Sequence, residues 1–396
     1  MLIGIVGKAN VGKSTFFKAT TLADVLIANY PFATIDPNKG FGFVRVKDPG
    51  PDLGVVSTPR TGFIRDGTRF VPVEVMDVAG LVPGAHEGKG MGNKFLDDLR
   101  QADAFLHIVD MSGSTNEKGE PREPGTHDPA FDVRFLEVEL DMWIYSLISK
   151  GWEKFARQVQ TENKDAARAL AKQLSGLKVT EEIVKDAINT LKLDPTKPIN
   201  WGDENLLKLS TIIRKKTKPM LIVANKMDVA TAQESLERCK KEFPDYKFIP
   251  CCGEAELALK EADHKGLIKY IPGSKTVEMT DKLNPAQKKA IEFIQKNVLE
   301  KYGGTGVQEA LDIAVFELLK YIAIFPGSAG KQGDSQGRIL PDCFLLPPGS
   351  TAIDFAAKIH TDLVRDFVAA IDVRAKRKIG KEHPLKHRDI VEIKTS

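Results

Sequence analysis

With 396 residues the chain exceeds ordinary single-domain length, so two or three domains are expected. Hydrophobic residues make up 42% and charged residues 28%, a globular balance that excludes a disordered chain, and no apolar run reaches the roughly 18 residues of a bilayer span. A net charge of +3 leaves any attraction to nucleic acid to a local patch, and four scattered cysteines exclude a disulfide framework.

The first eight residues read as a buried strand rather than a signal peptide, so a cytoplasmic protein with no membrane partner is expected. Leu2 to Val6 is short and apolar, as a buried parallel strand is. It runs into Gly7-Lys8-Ala9-Asn10-Val11-Gly12-Lys13-Ser14 and then a helical stretch from Thr15 to Ala19. This is the G-x-x-x-x-G-K-[ST] pattern in its strand–loop–helix setting. Gly7 and Gly12 let successive backbone N–H groups face phosphates, and the helix N-terminus adds partial positive charge. Lys13 can reach the β and γ phosphates, and the Ser14 hydroxyl can ligate Mg2+.

A second element should hold the metal and sense the γ-phosphate. The strand-like run Val71 to Met76 ends at Asp77-Val78-Ala79-Gly80. Asp77 suits a metal-bound carboxylate, and the Gly80 amide can meet the γ-phosphate. Between the two elements, Thr34 can add a second hydroxyl to the metal, the alternative being an ordinary loop threonine. Lys13, Thr34 and Gly80 are thus the candidates for the chemistry, and Ser14, Thr34 and Asp77 for the metal.

A strand ending at Asp110 precedes a long interruption, residues 111–217, that exceeds any ordinary loop. After a Pro/Gly-rich stretch, Phe131 to Gln160, Asn163 to Leu174 and Thr180 to Leu191 have helical apolar spacing. This reads as an inserted helical hairpin or bundle, with Trp143 and Trp152 in its packing rather than stacked on bases.

Pro219 to Ala224 reads as another buried strand, ending at Asn225-Lys226-Met227-Asp228. The Asp228 carboxylate can accept from both N1–H and the exocyclic amine of guanine, whereas adenine would leave it unpaired at a cost of about 1–3 kcal/mol. Asn225 is expected to brace this loop against the phosphate-binding loop, and the Lys226 stem to lie on the base face. A last strand, Tyr246 to Pro250, leads to Cys251-Cys252-Gly253-Glu254, where the Gly253 N–H can meet guanine O6; a plain strand-to-helix turn is the alternative.

A second helical segment runs from Pro285 to Leu319 and is broken at Gly303-Gly304-Thr305-Gly306, glycines with no following Lys-Ser/Thr and so no second phosphate site. The stretch from Gly327 to Gly333 reads as a mobile surface loop. Strands at Asp342 to Leu346 and Asp389 to Lys394 flank a helix from Thr351 to Lys358, and Arg374, Lys376, Arg377, Lys378, Lys381, Lys386 and Arg388 form the densest basic run. That run is either a solvated face or a contact for RNA phosphates, without interleaved aromatics for base stacking.

Together these residues resemble the Obg-like translation-factor GTPases of the YchF-type branch. The resemblance rests on Asn10-Val11-Gly12-Lys13-Ser14-Thr15, on residues 29–38 (NYPFATIDPN) and on the glycine-rich second switch, residues 77–96 (DVAGLVPGAHEGKGMGNKFL). The stretch from Gly349 to Leu363 is similar to a TGS domain, a small β-grasp module of translation-linked proteins. The resemblance implies an α/β P-loop G domain with a mainly parallel sheet (residues 1–110 and 218–275), a helical insertion (111–217), a helical extension (276–319) and a TGS-like domain (320–396). It implies GTP and GDP as ligands, held by Gly7, Asn10 to Thr15, Asn225, Lys226, Asp228, Cys252 and Gly253. Two departures matter: the base-reading Asp228 is kept where YchF-type relatives often replace it and accept ATP, and Cys252-Gly253 stands where Ser-Ala is usual.

Leu81 occupies the position where many GTPases carry a water-orienting glutamine, so slow intrinsic hydrolysis is expected, accelerated by a partner or by K+ held at Asn10. His86, in a Gly-rich segment, is read as solvated. The expected function is a monomeric GTPase switch docking on a ribosome or ribosomal RNA. A nucleotide-sensing RNA- or ribosome-binding protein with incidental hydrolysis is the alternative.

Overall fold

A computed structural model describes residues 1–22, 38–78, 80, 98–328, 333–334 and 336–396. Its central strand, β1 (Leu2–Val6), is buried throughout. It lies parallel between β4 (Thr68–Asp77) and β5 (Ala104–Asp110), which carries on to β6 (Met220–Asn225) and β7 (Phe248–Pro250). On the other side β4 pairs antiparallel with β2 (Lys39–Lys47) and with the short β3 (Phe63–Arg65). Among the described residues this makes a seven-stranded sheet in the order β2-β4-β1-β5-β6-β7, with β3 on β4. The five expected strands are present, and the antiparallel edge formed by β2 and β3 is an addition to them.

Alternation along β1 divides the core. Ile3 and Ile5 join one apolar cluster and Leu2 and Val6 the other, as side chains on successive strand residues point to opposite faces. The Leu2 face is covered by helices inserted after β5: α2 (Pro129–Ser149), α3 (Trp152–Thr161), α4 (Ala166–Gln173), α5 (Glu181–Thr190) and α6 (Asp203–Thr217), α1 (Lys13–Thr21) being the helix that follows the phosphate loop. Trp143, Leu170, Ile188 and Leu209 belong to the same cluster as Phe105, Val109 and Ile222 of the sheet, so these helices share one core with it. Trp143 is 1% exposed and Trp152 stacks on Trp201 with centroids 5.6 Å apart, which places both in packing, as expected.

The helix expected from Phe131 to Gln160 is two. The chain turns at Gly151, whose φ of 75° ends α2 and starts α3. Asp165 and Thr180 cap α4 and α5 through side-chain oxygens, which fixes their starts inside the expected spans. Helix α6 was not expected.

Helix α7 (Ala232–Glu242) precedes β7, α8 (Gly253–His264) follows it, and β8 (Ile268–Lys269) and β9 (Glu278–Met279) form a small ribbon. Helix α9 (Pro285–Ile294) starts in an Asn284–Gln287 capping box and continues through a π turn to Tyr302. The expected break follows at Gly303 to Gly306, and α10 (Val307–Ile313) with the π turn after it then covers the Ile3 face of the sheet through Leu311, Ala314 and Val315.

A second sheet has the order β11 (Phe344–Leu346), β10 (Ile322–Pro326), β14 (Ile390–Thr395), β12 (Phe367–Asp372), β13 (Arg377–Ile379). Its central β10–β14 pair is parallel and the other pairs are antiparallel, with α11 (Ala352–Ile359), capped by Thr351 and Asp354, packed on it. The short α12 (Thr361–Arg365) follows. Buried Arg69 ties this sheet to the large one, donating to the carbonyls of Leu340 at 2.6 Å and Pro341 at 2.7 Å. Among the described residues no helix is long and apolar enough to cross a membrane.

Candidate nucleotide site

The loop after β1 closes tightly before α1. Gly7 has φ 148°, and a Cβ there would lie 2.5 Å from the Ile108 carbonyl oxygen; Gly12 has φ 97°, and its Cβ would meet Asn225 Nδ2 at 2.4 Å. Only glycine tolerates both the backbone and the approach. Beyond Gly12 the first amides of α1 have no intrahelical carbonyl to bond and form a natural anion site. Lys13 is 9% exposed and donates to the Lys8 carbonyl at 2.7 Å. Burial lowers its pKa, opposed by the charge of Asp77.

Asp77, at the end of β4, accepts from the Ser14 hydroxyl at 3.1 Å. Burial raises its carboxyl pKa against the pull of Ser14 and Lys13, and its Oδ1 is buried with no hydrogen-bond partner among the described residues. A hydroxyl and a half-satisfied carboxylate beside phosphate-binding amides suit a hard cation that takes few protein ligands, as Mg2+ does. Gly80 stands close by: a Cβ on it would be 3.4 Å from Lys13 Nζ and 3.6 Å from the Ala9 nitrogen. Thr34, Leu81, His86 and the rest of the second switch from 81 to 96 lie outside the described residues, as does most of the expected loop before Gly333.

The base-side residues are joined to this loop by one side chain. Asn225, 4% exposed, donates to the Val11 carbonyl at 2.8 Å and accepts from the Gly253 N–H at 3.1 Å. Asp228 accepts from the Cys252 thiol at 3.2 Å, and burial pushes that thiol to about 12, so it stays a donor. Gly12, Thr15, Asn225, Asp228, Cys252 and Glu254 line a common cleft of about 170 Å³.

Both loops on this side are also held from within the protein. The Gly253 amide donates to Asn225 and the Cys252 amide to the Thr305 carbonyl at 2.9 Å, and Glu254, next in the first turn of α8, also lines the cleft. Lys226, in the left-handed region at φ 62°, has its ammonium tied to Asp110 at 2.9 Å and Ser114 at 3.1 Å, so only its stem is left for a base face.

Asp110 is a hub the sequence reading passed over. It is fully buried; burial alone would raise its pKa, but hydrogen bonds from Ser112, Lys226 and Thr115 and the Lys226 charge hold it below the ordinary carboxylate range. Lys8 was missed as well. It is 4% exposed, donates to the Thr115 carbonyl at 2.8 Å and pairs with Asp132 of α2 at 2.7 Å. The only signal for it was a charged residue two positions after a buried strand.

Comparisons with known proteins agree with this geometry. Residues 2–130 match the family described as 50S ribosome-binding GTPase, residues 223–328 the G4 motif-containing domain of Obg-like, YGR210-like GTPases, and residues 329–395 the TGS domain. An uncharacterized GTP-binding protein of Methanocaldococcus jannaschii is 50% identical over 393 residues, 99% of this chain and 98% of that protein. The ribosome-binding ATPase YchF of Pasteurella multocida is 30% identical over 375 residues, 93% of this chain and 86% of that one. Among solved structures, a GTP-binding protein from Pyrococcus horikoshii superimposes with a TM-score of 0.79 at 38% identity over the whole of both chains. The YchF GTPase of Schizosaccharomyces pombe shares the fold, with a TM-score of 0.59 at 23% identity over 100% of this chain and 97% of that one. The chain belongs to the Obg-like GTPases, as a GTP-binding protein of the YchF type that carries a C-terminal TGS domain.

Proposed function

We propose that this protein binds GTP with Mg2+, hydrolyses it slowly to GDP and phosphate, and uses the nucleotide state to control docking on a ribosome or ribosomal RNA. One observation carries the nucleotide part: Asn225 links Val11 of the phosphate loop to Gly253, in the same cleft that Asp228 lines. Lys13 then leaves the Lys8 carbonyl for the phosphates, and the Gly80 amide meets the γ-phosphate. Ser14 and Asp77, with Thr34, would hold Mg2+, which would supply charge neutralisation to the phosphates. Asn10 is the proposed side-chain ligand for K+.

Asp228 selects guanine, with Cys252 fixing the carboxylate and the Gly253 N–H, released from Asn225, as the donor to O6. Several relatives are named ATPases, but an aspartate at this position has no second donor to accept from on adenine. Residues 1–110 with 218–275 act as the G domain, 111–217 as the helical insertion, 276–319 as the extension and 320–396 as the TGS-like domain.

The ribosome link draws support from the names of the relatives and from the exposed Lys376, Lys378, Lys381 and Lys386. Arg374 and Arg388 are withdrawn from that face, since both pair with Asp52, at 2.9 and 2.7 Å. A soluble cytoplasmic monomer fits this role. The test is co-sedimentation with purified ribosomes in the presence of GDP or a non-hydrolysable GTP analogue. Nucleotide-dependent, salt-sensitive pelleting is expected; identical pelleting in both states contradicts a switch.

A further inference from the structure

The segment after β5 folds back as a hairpin onto the phosphate loop. The Arg122 N–H donates to the Ser114 carbonyl at 2.8 Å, Asn116 to Glu120 at 3.0 Å, and Thr115 faces Pro121 across an antiparallel bridge. Its tip is fixed from within. Asn116 Oδ1 accepts from the amides of Lys118 at 3.0 Å and Glu120 at 2.9 Å. Its root is fastened to the site, because the Ser114 and Thr115 hydroxyls donate to Asp110 and the Thr115 carbonyl accepts from Lys8.

This tip rests on the phosphate loop at two points. Asn10 Nδ2 donates to the Gly119 carbonyl at 2.9 Å. Gly119, at φ 79°, lies so close that a Cβ on it would be 2.7 Å from both Cβ and O of Ala9. Gly80 approaches the same residue, 3.6 Å from the Ala9 nitrogen by the same measure and 3.4 Å from Lys13 Nζ. Among the described residues Ala9 therefore has the hairpin tip packed against one part of it and, against another, the point where the Lys13 ammonium and Gly80 converge.

Lys118 precedes Gly119 and is exposed, and its ammonium forms no ion pair among the described residues. Its charge is felt at Glu120, whose carboxylate is occupied by Asn116 at 2.7 Å and Arg122 at 3.3 Å. A lysine side chain reaches roughly 6 Å from its α-carbon, enough to pass Ala9.

We propose that Lys118 is the cation that meets the γ-phosphate in cis, doing from the hairpin what an arginine finger does from a partner. The inference rests on the hydrolysis reading above. In the reaction, water attacks the γ-phosphorus, the bond from it to the β–γ bridging oxygen breaks, and GDP and phosphate leave. Lys118 keeps its protons throughout and stabilises the negative charge gathering on the transferred group, a service the apolar Leu81 cannot render.

The test is single-turnover hydrolysis and GTP affinity for wild type, Lys118→Ala, Lys118→Arg and the oppositely charged neighbour variant Glu117→Gln, in sodium buffer so that K+ does not stand in for the ammonium. Lys118→Ala should slow hydrolysis at least tenfold with GTP affinity changed less than about threefold, Lys118→Arg should recover most of the rate, and Glu117→Gln should retain it. An unchanged rate in Lys118→Ala, or a loss confined to affinity, overturns the inference while leaving the GTPase reading intact. A wild type that binds GTP and releases no phosphate overturns that reading, and this inference with it.

Discussion

Asn225 donates its side-chain amide to the Val11 carbonyl at 2.8 Å, so the last residue of β6 is bonded to the middle of the phosphate loop. The base-reading and phosphate-binding segments are 214 residues apart in sequence and yet share this one buried group. Asn225→Ala should cost about 1–3 kcal/mol of stability, because it leaves the Val11 carbonyl and the Gly253 N–H without their partner. GTP affinity should fall at least tenfold, as read by fluorescent-nucleotide titration beside thermal unfolding. Full affinity in the variant would mean that the bridge does not organise the site.

Gly12→Ala is expected to do more harm than its size suggests. Its Cβ would fall 2.4 Å from Asn225 Nδ2, at a φ of 97° that L-residues rarely adopt. Nucleotide binding should be lost while circular dichroism remains native, since the strain is confined to the loop. Retained GTP binding at micromolar concentration would contradict the placement of Asn225 against the loop.

Asp228→Ala should collapse the preference for GTP over ATP by tenfold to a hundredfold, compared by competition against a labelled nucleotide. Cys252→Ala should weaken the preference by a smaller factor, because it removes a thiol donor and leaves the carboxylate in place. With that thiol at about 12 and 3% exposed, native protein at pH 8 should resist thiol reagents at Cys252 and react only on unfolding. Equal affinity of wild type for GTP and ATP would undo the base-site argument.

Acid sensitivity should be traceable to His107. Burial, helped by the charges of Lys13 and Lys8, pushes its pKa from the ordinary 6.5 down to about 3, and the side chain is completely buried in β5. Between those values the unfolded chain binds a proton that the native protein does not, so stability is lost as pH falls from 6.5 toward 3. The loss from this residue is on the order of 5 kcal/mol at most. His107→Gln should flatten that slope in urea melts between pH 7 and 4, whatever its effect on stability at neutral pH. An identical slope would place the acid sensitivity elsewhere.

What could be read from the sequence was what is local. The phosphate loop, Asp77-Val78-Ala79-Gly80 and Asn225 to Asp228 each sit where a short apolar strand ends, so pattern and position agree within a dozen residues. In the C-terminal module a helix capped by Thr351 between two apolar runs was legible for a similar reason, while its β-grasp identity was implied by the resemblance to a TGS domain. Lys8 was not legible, because its partner Asp132 is 124 residues away, and neither was the Asp110 hub, whose ligands come from a hairpin and from Lys226. The Asn225 bond to Gly253 was hidden for the same reason. Which first-turn amide of α8 Asn225 engages is set by packing across 28 residues rather than by the Cys-Cys-Gly-Glu string.

The most direct test of the account is the single-turnover rate of GTP hydrolysis in potassium buffer with and without purified ribosomes. The account predicts slow hydrolysis by the protein alone and an acceleration of at least tenfold when ribosomes are added. A rate unchanged by ribosomes would contradict it, and GTP-dependent ribosome binding under those same conditions would put a nucleotide sensor with incidental hydrolysis in its place.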